Sequence, residues 1–141
     1  MSNDSEPHAV VLVDDDSITR ELFHSVLDHY GVNLHSFSDP HQALEFLQTH
    51  VPSAIVTDLF LPEMDGYRVR AAIRKMPHLD ACPILVTTAF YTTDSIGELT
   101  SNGFEACLLK PIEPRSLFQV LVAYINGAGD DGSISSATSP A

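Results

Sequence analysis

Five apolar bursts run along the chain, each followed by a stretch in which apolar residues recur at helical spacing. The first burst, residues 9–13 (AVVLV), stops at Asp14, Asp15 and Asp16. Ile18, Leu22, Val26 and Tyr30 follow at i, i+4, i+8 and i+12, which predicts an amphipathic helix with these four as its apolar stripe and Gly31 as its stop. Residues 32–37 read as a short strand. Asp39 then caps a helix that has Pro40 in its first turn and Gln42 three residues after the cap, with Ala43, Leu44 and Leu47 facing inward.

The alternation continues to the end. Residues 54–56 (AIV) form a strand ending at Thr57-Asp58, and Val69, Ile73 and Met76 mark the next helix. Residues 83–86 (PILV) form a fourth strand, closed by Thr87-Thr88. A weak polar helix over 92–102 carries Ile96 and Leu99 and stops near Gly103. Residues 104–109 make the fifth strand, ended by Lys110-Pro111, and Leu117, Val120, Leu121 and Tyr124 stripe a last helix opened by Pro114. Strand-then-helix five times implies right-handed parallel crossovers and a sheet covered on both faces. The predicted class is α/β, a doubly wound, five-stranded parallel sheet in a flavodoxin-like three-layer sandwich. Residues 1–8 read as a flexible lead, 9–126 as the folded domain, and 127–141 (GAGDDGSISSATSPA) as a flexible tail or linker.

Composition narrows the partners. The 141 residues carry 19 Asp+Glu against 7 Lys+Arg, a net charge of −12. Direct binding to nucleic acid or to an anionic membrane is disfavoured, and no apolar run is long enough for a membrane span or signal core. Cys82 and Cys107 form no CxxC pair and read as buried free thiols of a reducing, cytoplasmic setting. Only two lysines are present, Lys75 and Lys110.

In open α/β sheets, ligands bind beyond the carboxyl ends of the strands. Those ends carry Asp14-Asp15-Asp16 on strand one, Asp58 on strand three, Thr87-Thr88 on strand four and Lys110 on strand five. Asp14, Asp15 and Asp58 should meet in one crevice. Two like charges 4 Å apart repel by about 4 kcal/mol at an effective dielectric near 20, so a hard divalent cation is called for. Mg²⁺ takes one or two carboxylates plus a phosphoryl oxygen, and Lys110 with a Thr hydroxyl supplies a charge and a donor for the bound anion. Acids, Mg²⁺, one Lys and one hydroxyl together form a phosphoryl-transfer kit. Asp16 by itself reads as a cap or a solvated acid.

At VLVDDD (11–16), VTDLFLPEMDG (56–66), ILVTTA (84–89) and LLKP (108–111), the chain resembles the response regulator receiver domain of two-component signalling. The resemblance covers about residues 8–126 and implies a CheY-like fold. It implies Asp58 as phosphoacceptor, Asp15 binding Mg²⁺ directly, Asp14 through water, and the Phe60 carbonyl as a further ligand. Lys110 would pair with a phosphoryl oxygen, Thr88 would be the switch hydroxyl, and the Ala89 N–H another donor. The Lys110–Pro111 bond would be cis, and Pro62 and Gly66 would shape the loop after the acceptor, Gly66 by permitting unusual backbone angles. The implied partner is a sensor histidine kinase or a histidine phosphotransfer protein, and the chain itself is not an enzyme. The output, by way of strand four, helix four, strand five and helix five, would be a contact with a downstream protein or with an output domain beyond this chain.

Departures from the family pattern carry expectations of their own. Cys107 stands where the family usually carries Tyr or Phe, so coupling of Thr88 to a swinging ring is in doubt, and Cys107 reads as a packed core residue. Phe60 and Phe90, each two residues after Asp58 and Thr88, should shield an acyl phosphate and slow its hydrolysis. The seven histidines (8, 24, 29, 35, 41, 50 and 78) show no metal-ligand spacing and read as surface residues. Two rivals remain. A haloacid-dehalogenase-like Mg-dependent phosphatase would use Asp14-x-Asp16, but its later acidic pair could only be Asp130-Asp131 in the tail. A non-phosphorylated interaction module would leave the acids, Thr and Lys unexplained.

Overall fold

The computed structural model describes residues 4–89 and 92–125. Its elements are β1 (Asp4–Val13), α1 (Ser17–His29), β2 (Asn33–Phe37), α2 (Pro40–Leu47), β3 (His50–Asp58), α3 (Gly66–Arg74), β4 (Ile84–Thr88), α4 (Thr93–Ser101), β5 (Ala106–Leu109) and α5 (Pro114–Ile125). A single 3₁₀ turn, Pro77–Leu79, precedes β4. All strands are parallel, in the order β2-β1-β3-β4-β5. Beyond β1 the chain first goes to β2 on one side and then crosses to β3 on the other. That reversal opens a crevice at the carboxyl ends of β1 and β3.

Alternation along the strands splits the core in two. Val11, Val13, Ile55, Ile84 and Val86 face Ala43 and Leu47 of α2, Val69 and Ile73 of α3, and Leu99 of α4. Val10, Leu12, Val56 and Leu85 face Phe23 and Leu27 of α1 and the α5 stripe of Leu117, Val120, Leu121 and Tyr124. The near-continuous apolar strands are therefore buried on both faces, as the sequence pattern requires.

Local signals act where expected. Asp39 accepts from the His41 N–H with Pro40 in the first turn of α2, and Gly31, at φ +73, follows α1. A further cap, not expected from the sequence, is the reciprocal capping box of Thr92 and Ser95 on α4. Gly103 (φ +102) adopts a left-handed conformation after α4.

Several details differ from the sequence reading; β3, for one, begins at His50 rather than at residue 54. Residues 4–8, expected within the flexible lead, belong to β1: Asp4, Ser5 and Glu6 pair with His50, Val51 and Pro52 before a register shift ahead of Val10. Their pairing is made by backbone groups, so no apolar alternation announced it. The buried stripe of α1 is Thr19, Phe23 and Leu27; of the expected Ile18, Leu22, Val26 and Tyr30, Val26 packs at the edge of the core, Leu22 is half-buried, and Ile18 and Tyr30 are exposed. Ile18 is 74% exposed and Tyr30 50%. Both stripes are spaced four residues apart, one residue or about 100° from each other, and only the sheet decides which one is covered. Finally, β5 starts at Ala106 rather than at residue 104. The expected tail, 127–141, lies outside the described residues, as does Phe90.

Candidate phosphoacceptor site

Asp14 follows the last residue of β1 and Asp58 is the last residue of β3, so strand register alone brings both to the crevice. Asp14 is fully buried and Asp58 is 7% exposed, whereas Asp15 is exposed. One carboxylate oxygen from each of the three lies within 4.8 Å of the others.

Neighbouring groups hold Asp14 in place. Its Oδ1 accepts from the Asp16 N–H at 2.9 Å, its own N–H donates to the Phe37 carbonyl at 3.0 Å, and Arg20 Nη1 donates to its carbonyl oxygen at 2.8 Å. Arg20 escaped the sequence reading. Its only mark there is being the one Arg or Lys in α1, six residues past Asp14. Asp16 is spent as the α1 cap, accepting from the Ile18 N–H and from the Thr19 hydroxyl. These bonds keep its carboxyl below the usual range, the Thr19 contact most of all.

Lys110 enters from the end of β5, its N–H bonded to the Thr88 carbonyl at 2.9 Å. Its Nζ lies 2.9 Å from Asp14 Oδ2 and 3.5 Å from Asp58 Oδ2. The following bond, Lys110–Pro111, is cis. Burial by itself would lower the Lys110 pKa, yet contact with Asp14 and the charges of Asp14 and Asp58 together raise it. The ammonium therefore stays charged.

Lys110 does not balance the acids. Burial, then repulsion from Asp14, pushes Asp58 up to about 6, against the pull of Lys110 and a backbone hydrogen bond from Phe60. Burial also raises Asp14, against its bonds to Asp16 and Lys110. An all-oxygen donor set with unrelieved repulsion suits a hard divalent cation, so the residues fit Mg²⁺.

Thr87 is the register partner of Asp58, and Thr88 lies one residue further, opposite Leu109. Both are buried at the same end of the sheet. By alternation, Thr88 shares the face of Val86 and Thr87 that of Leu85. Phe60 is 53% exposed on the loop after β3. Gly66 closes that loop, donating to the Leu59 carbonyl at 2.7 Å. A Cβ on Gly66 would lie 2.9 Å from the Asp58 carbonyl oxygen and 3.0 Å from Leu59 Cα. Gly66 is not among the positive-φ glycines. It is needed for close approach, not for unusual backbone angles. Cys107 is buried in the core, its thiol pushed up to about 11 by burial.

A family model for the response regulator receiver domain matches residues 10–122. The chain belongs to the receiver-domain family. It is 28% identical to Response regulator Rre1 of Synechocystis over 92% of this chain and 58% of that protein. It is 29% identical to the signal transduction histidine-protein kinase BarA of Escherichia coli over 85% of this chain and 13% of BarA. Chemotaxis response regulator CheY4 of Vibrio cholerae superposes with a TM-score of 0.76 at 26% identity, covering 82% of this chain and 97% of that one. This is a receiver domain of two-component signalling, and the dehalogenase-like alternative has no support. The α1 cap also occupies Asp16, the second acid that alternative needs. Among the described residues, no helix is long and apolar enough to cross a membrane.

Proposed function

We propose that this receiver accepts a phosphoryl group on Asp58 from a phosphohistidine of a sensor kinase or histidine phosphotransfer protein. The observation that carries the reading is the meeting of Asp14, Asp15 and Asp58 within 4.8 Å, with Lys110 bridging Asp14 and Asp58. An Asp58 carboxylate oxygen attacks phosphorus, the N–P bond to the histidine breaks, and an acyl phosphate forms. Asp14, Asp15, Asp58 and the Phe60 carbonyl would hold Mg²⁺, which supplies charge neutralisation when bound. Lys110 steadies a phosphoryl oxygen, and the Thr88 hydroxyl is the donor that follows the new charge. Asp58 is ionised at neutral pH because its raised pKa, about 6, still lies below 7.

A cleft of about 470 Å³ beside Lys110 is lined by Ile18, Leu22, Ala89, Pro111 and Ile112. Its exposed Ile18 and partly exposed Leu22 offer apolar area next to the reacting group, which suits a docking partner that delivers the phosphoryl. The output passes to a downstream protein or to an output domain beyond this chain. The chain works as a phosphoacceptor and turns over no substrate of its own. Buried thiols at Cys82 and Cys107, with no disulfide between them, suit the reducing cytoplasm.

Intact-mass measurement after incubation with Mg²⁺ and a small acyl-phosphate donor tests the reading. One added phosphoryl, absent in Asp58→Asn and absent without Mg²⁺, is expected. No mass gain from this donor or from phosphohistidine proteins overturns it, and turnover of a generic phosphomonoester would restore the phosphatase reading.

A further inference from the structure

His41, in the first turn of α2, meets Glu63 on the loop between β3 and α3, 22 positions along the chain. His41 Nε2 lies 3.4 Å from Glu63 Oε1. Asp39 joins them, so that one ligand atom from each of the three residues lies within 4.8 Å of the others. The group is separate from the acidic crevice and includes a nitrogen donor, which that crevice lacks.

We infer that Asp39, His41 and Glu63 form a second metal site, for a borderline transition ion such as Zn²⁺. The donor set is one imidazole and two carboxylates, a common zinc combination and a poor one for Mg²⁺, which prefers oxygen alone. Spacing agrees with this. At 3.4 Å the His41–Glu63 contact is longer than a good hydrogen bond. It matches the edge of a tetrahedron, roughly 3.3–3.4 Å, whose corners lie about 2.0–2.1 Å from a central zinc. Asp39 is half committed: its Oδ1 takes the His41 N–H at 2.9 Å as the α2 cap, leaving the other oxygen to ligate. That cap bond also ties the Asp39 carboxylate to the start of the helix that carries the imidazole. The His41 and Glu63 side chains are 59% and 69% exposed, so both can turn onto an ion entering from solvent. Water completes the coordination, since three protein ligands leave a position open. A net charge of −12 concentrates divalent cations around the whole molecule. An ion held here fastens the loop after Asp58 to the N-terminus of α2. The site stands independently of phosphoryl acceptance at Asp58.

Calorimetric titration of the full chain with Zn²⁺, in excess Mg²⁺ to fill the acidic crevice, tests the inference. One equivalent of Zn²⁺ is expected to bind. His41→Ala and Glu63→Gln should each weaken it by at least the roughly 10–100-fold that loss of a metal-supporting group costs. Asp39→Asn keeps the helix cap and should weaken it as well. Asp15→Asn and Asp58→Asn should leave it intact, and the His41 ring protons should shift on zinc addition in NMR spectra. No binding in Mg²⁺, binding that survives His41→Ala, or binding lost only in Asp15→Asn overturns the inference, the last because the ion then sits in the crevice. All the altered side chains at the new site are surface groups, and circular dichroism of each variant verifies its fold.

Discussion

Lys110 is held by Asp14 more closely than by Asp58: its Nζ stands 2.9 Å from Asp14 Oδ2 and 3.5 Å from Asp58 Oδ2. The Lys110 ammonium thus partly neutralises a fully buried carboxylate beside Asp58. A cation held by Asp14 and Asp15, as proposed, would relieve Lys110 of that task and free it for a phosphoryl oxygen.

The charge balance is measurable residue by residue. Without divalent ions, the Asp58 carboxyl carbon should titrate near 6 by NMR. Asp14→Asn removes a like charge and should lower the midpoint. Lys110→Ala removes the attraction and should raise it. A midpoint near the ordinary carboxylate value in the unaltered protein would refute the assignment of repulsion and burial.

Stability should follow the same shift. Because the folded-state pKa of Asp58 is raised, from 3.8 to about 6, the native state binds its proton more tightly than the unfolded chain does. The ionised group therefore costs stability above about pH 6, by up to about 3 kcal/mol, and the cost fades as pH falls toward 3.8. Asp58→Asn should accordingly be more stable than the parent at pH 7 in chelator, with the gap closing toward pH 4 and shrinking in Mg²⁺. Denaturant melts at several pH values read this directly.

Gly66→Ala should cost about 1–3 kcal/mol, since its new methyl meets backbone atoms that cannot swing aside. The displaced atoms include the carbonyl of Asp58, so phosphorylation by a small donor should slow together with the loss of stability.

On α1, the two adjacent stripes should behave oppositely. Phe23→Ala empties a fully buried site and should cost about 3–5 kcal/mol. Ile18→Ala, at a side chain 74% exposed, should change stability by no more than about 0.5 kcal/mol. It should nevertheless raise the KM for a phosphohistidine donor protein while leaving reaction with a small donor unchanged. Equal effects on both donors would remove Ile18 from the docking surface.

Phe60 is half exposed on the loop that follows Asp58. Phe60→Gln should shorten the lifetime of the acyl phosphate, followed by loss of the added mass over time. An unchanged lifetime would assign the ring to partner contact alone.

The order of elements and the chemistry at the strand ends could be read from residue patterns alone. A strand packed on both faces is apolar along its packed length, so Asp14, Asp58, Thr88 and Lys110 stand out where the apolar runs stop, although the fold buries the first three. Caps such as Asp39 and the stop at Gly31 were equally legible, because they act on neighbours within a few residues. What spans distance was decided by the fold. The two candidate stripes of α1 are both apolar, and packing against β1 and α5 chose Phe23 and Leu27 over Ile18 and Tyr30. Backbone pairing with β3 drew polar residues 4–6 into β1 without leaving a hydrophobic signature. Gly66 became a matter of contact with Asp58, and His41 met Glu63 across 22 positions. Likewise the raised pKa of Asp58 belongs to no local motif: it arises from burial and from the charge of Asp14 on the neighbouring strand, and both exist only once the chain has folded.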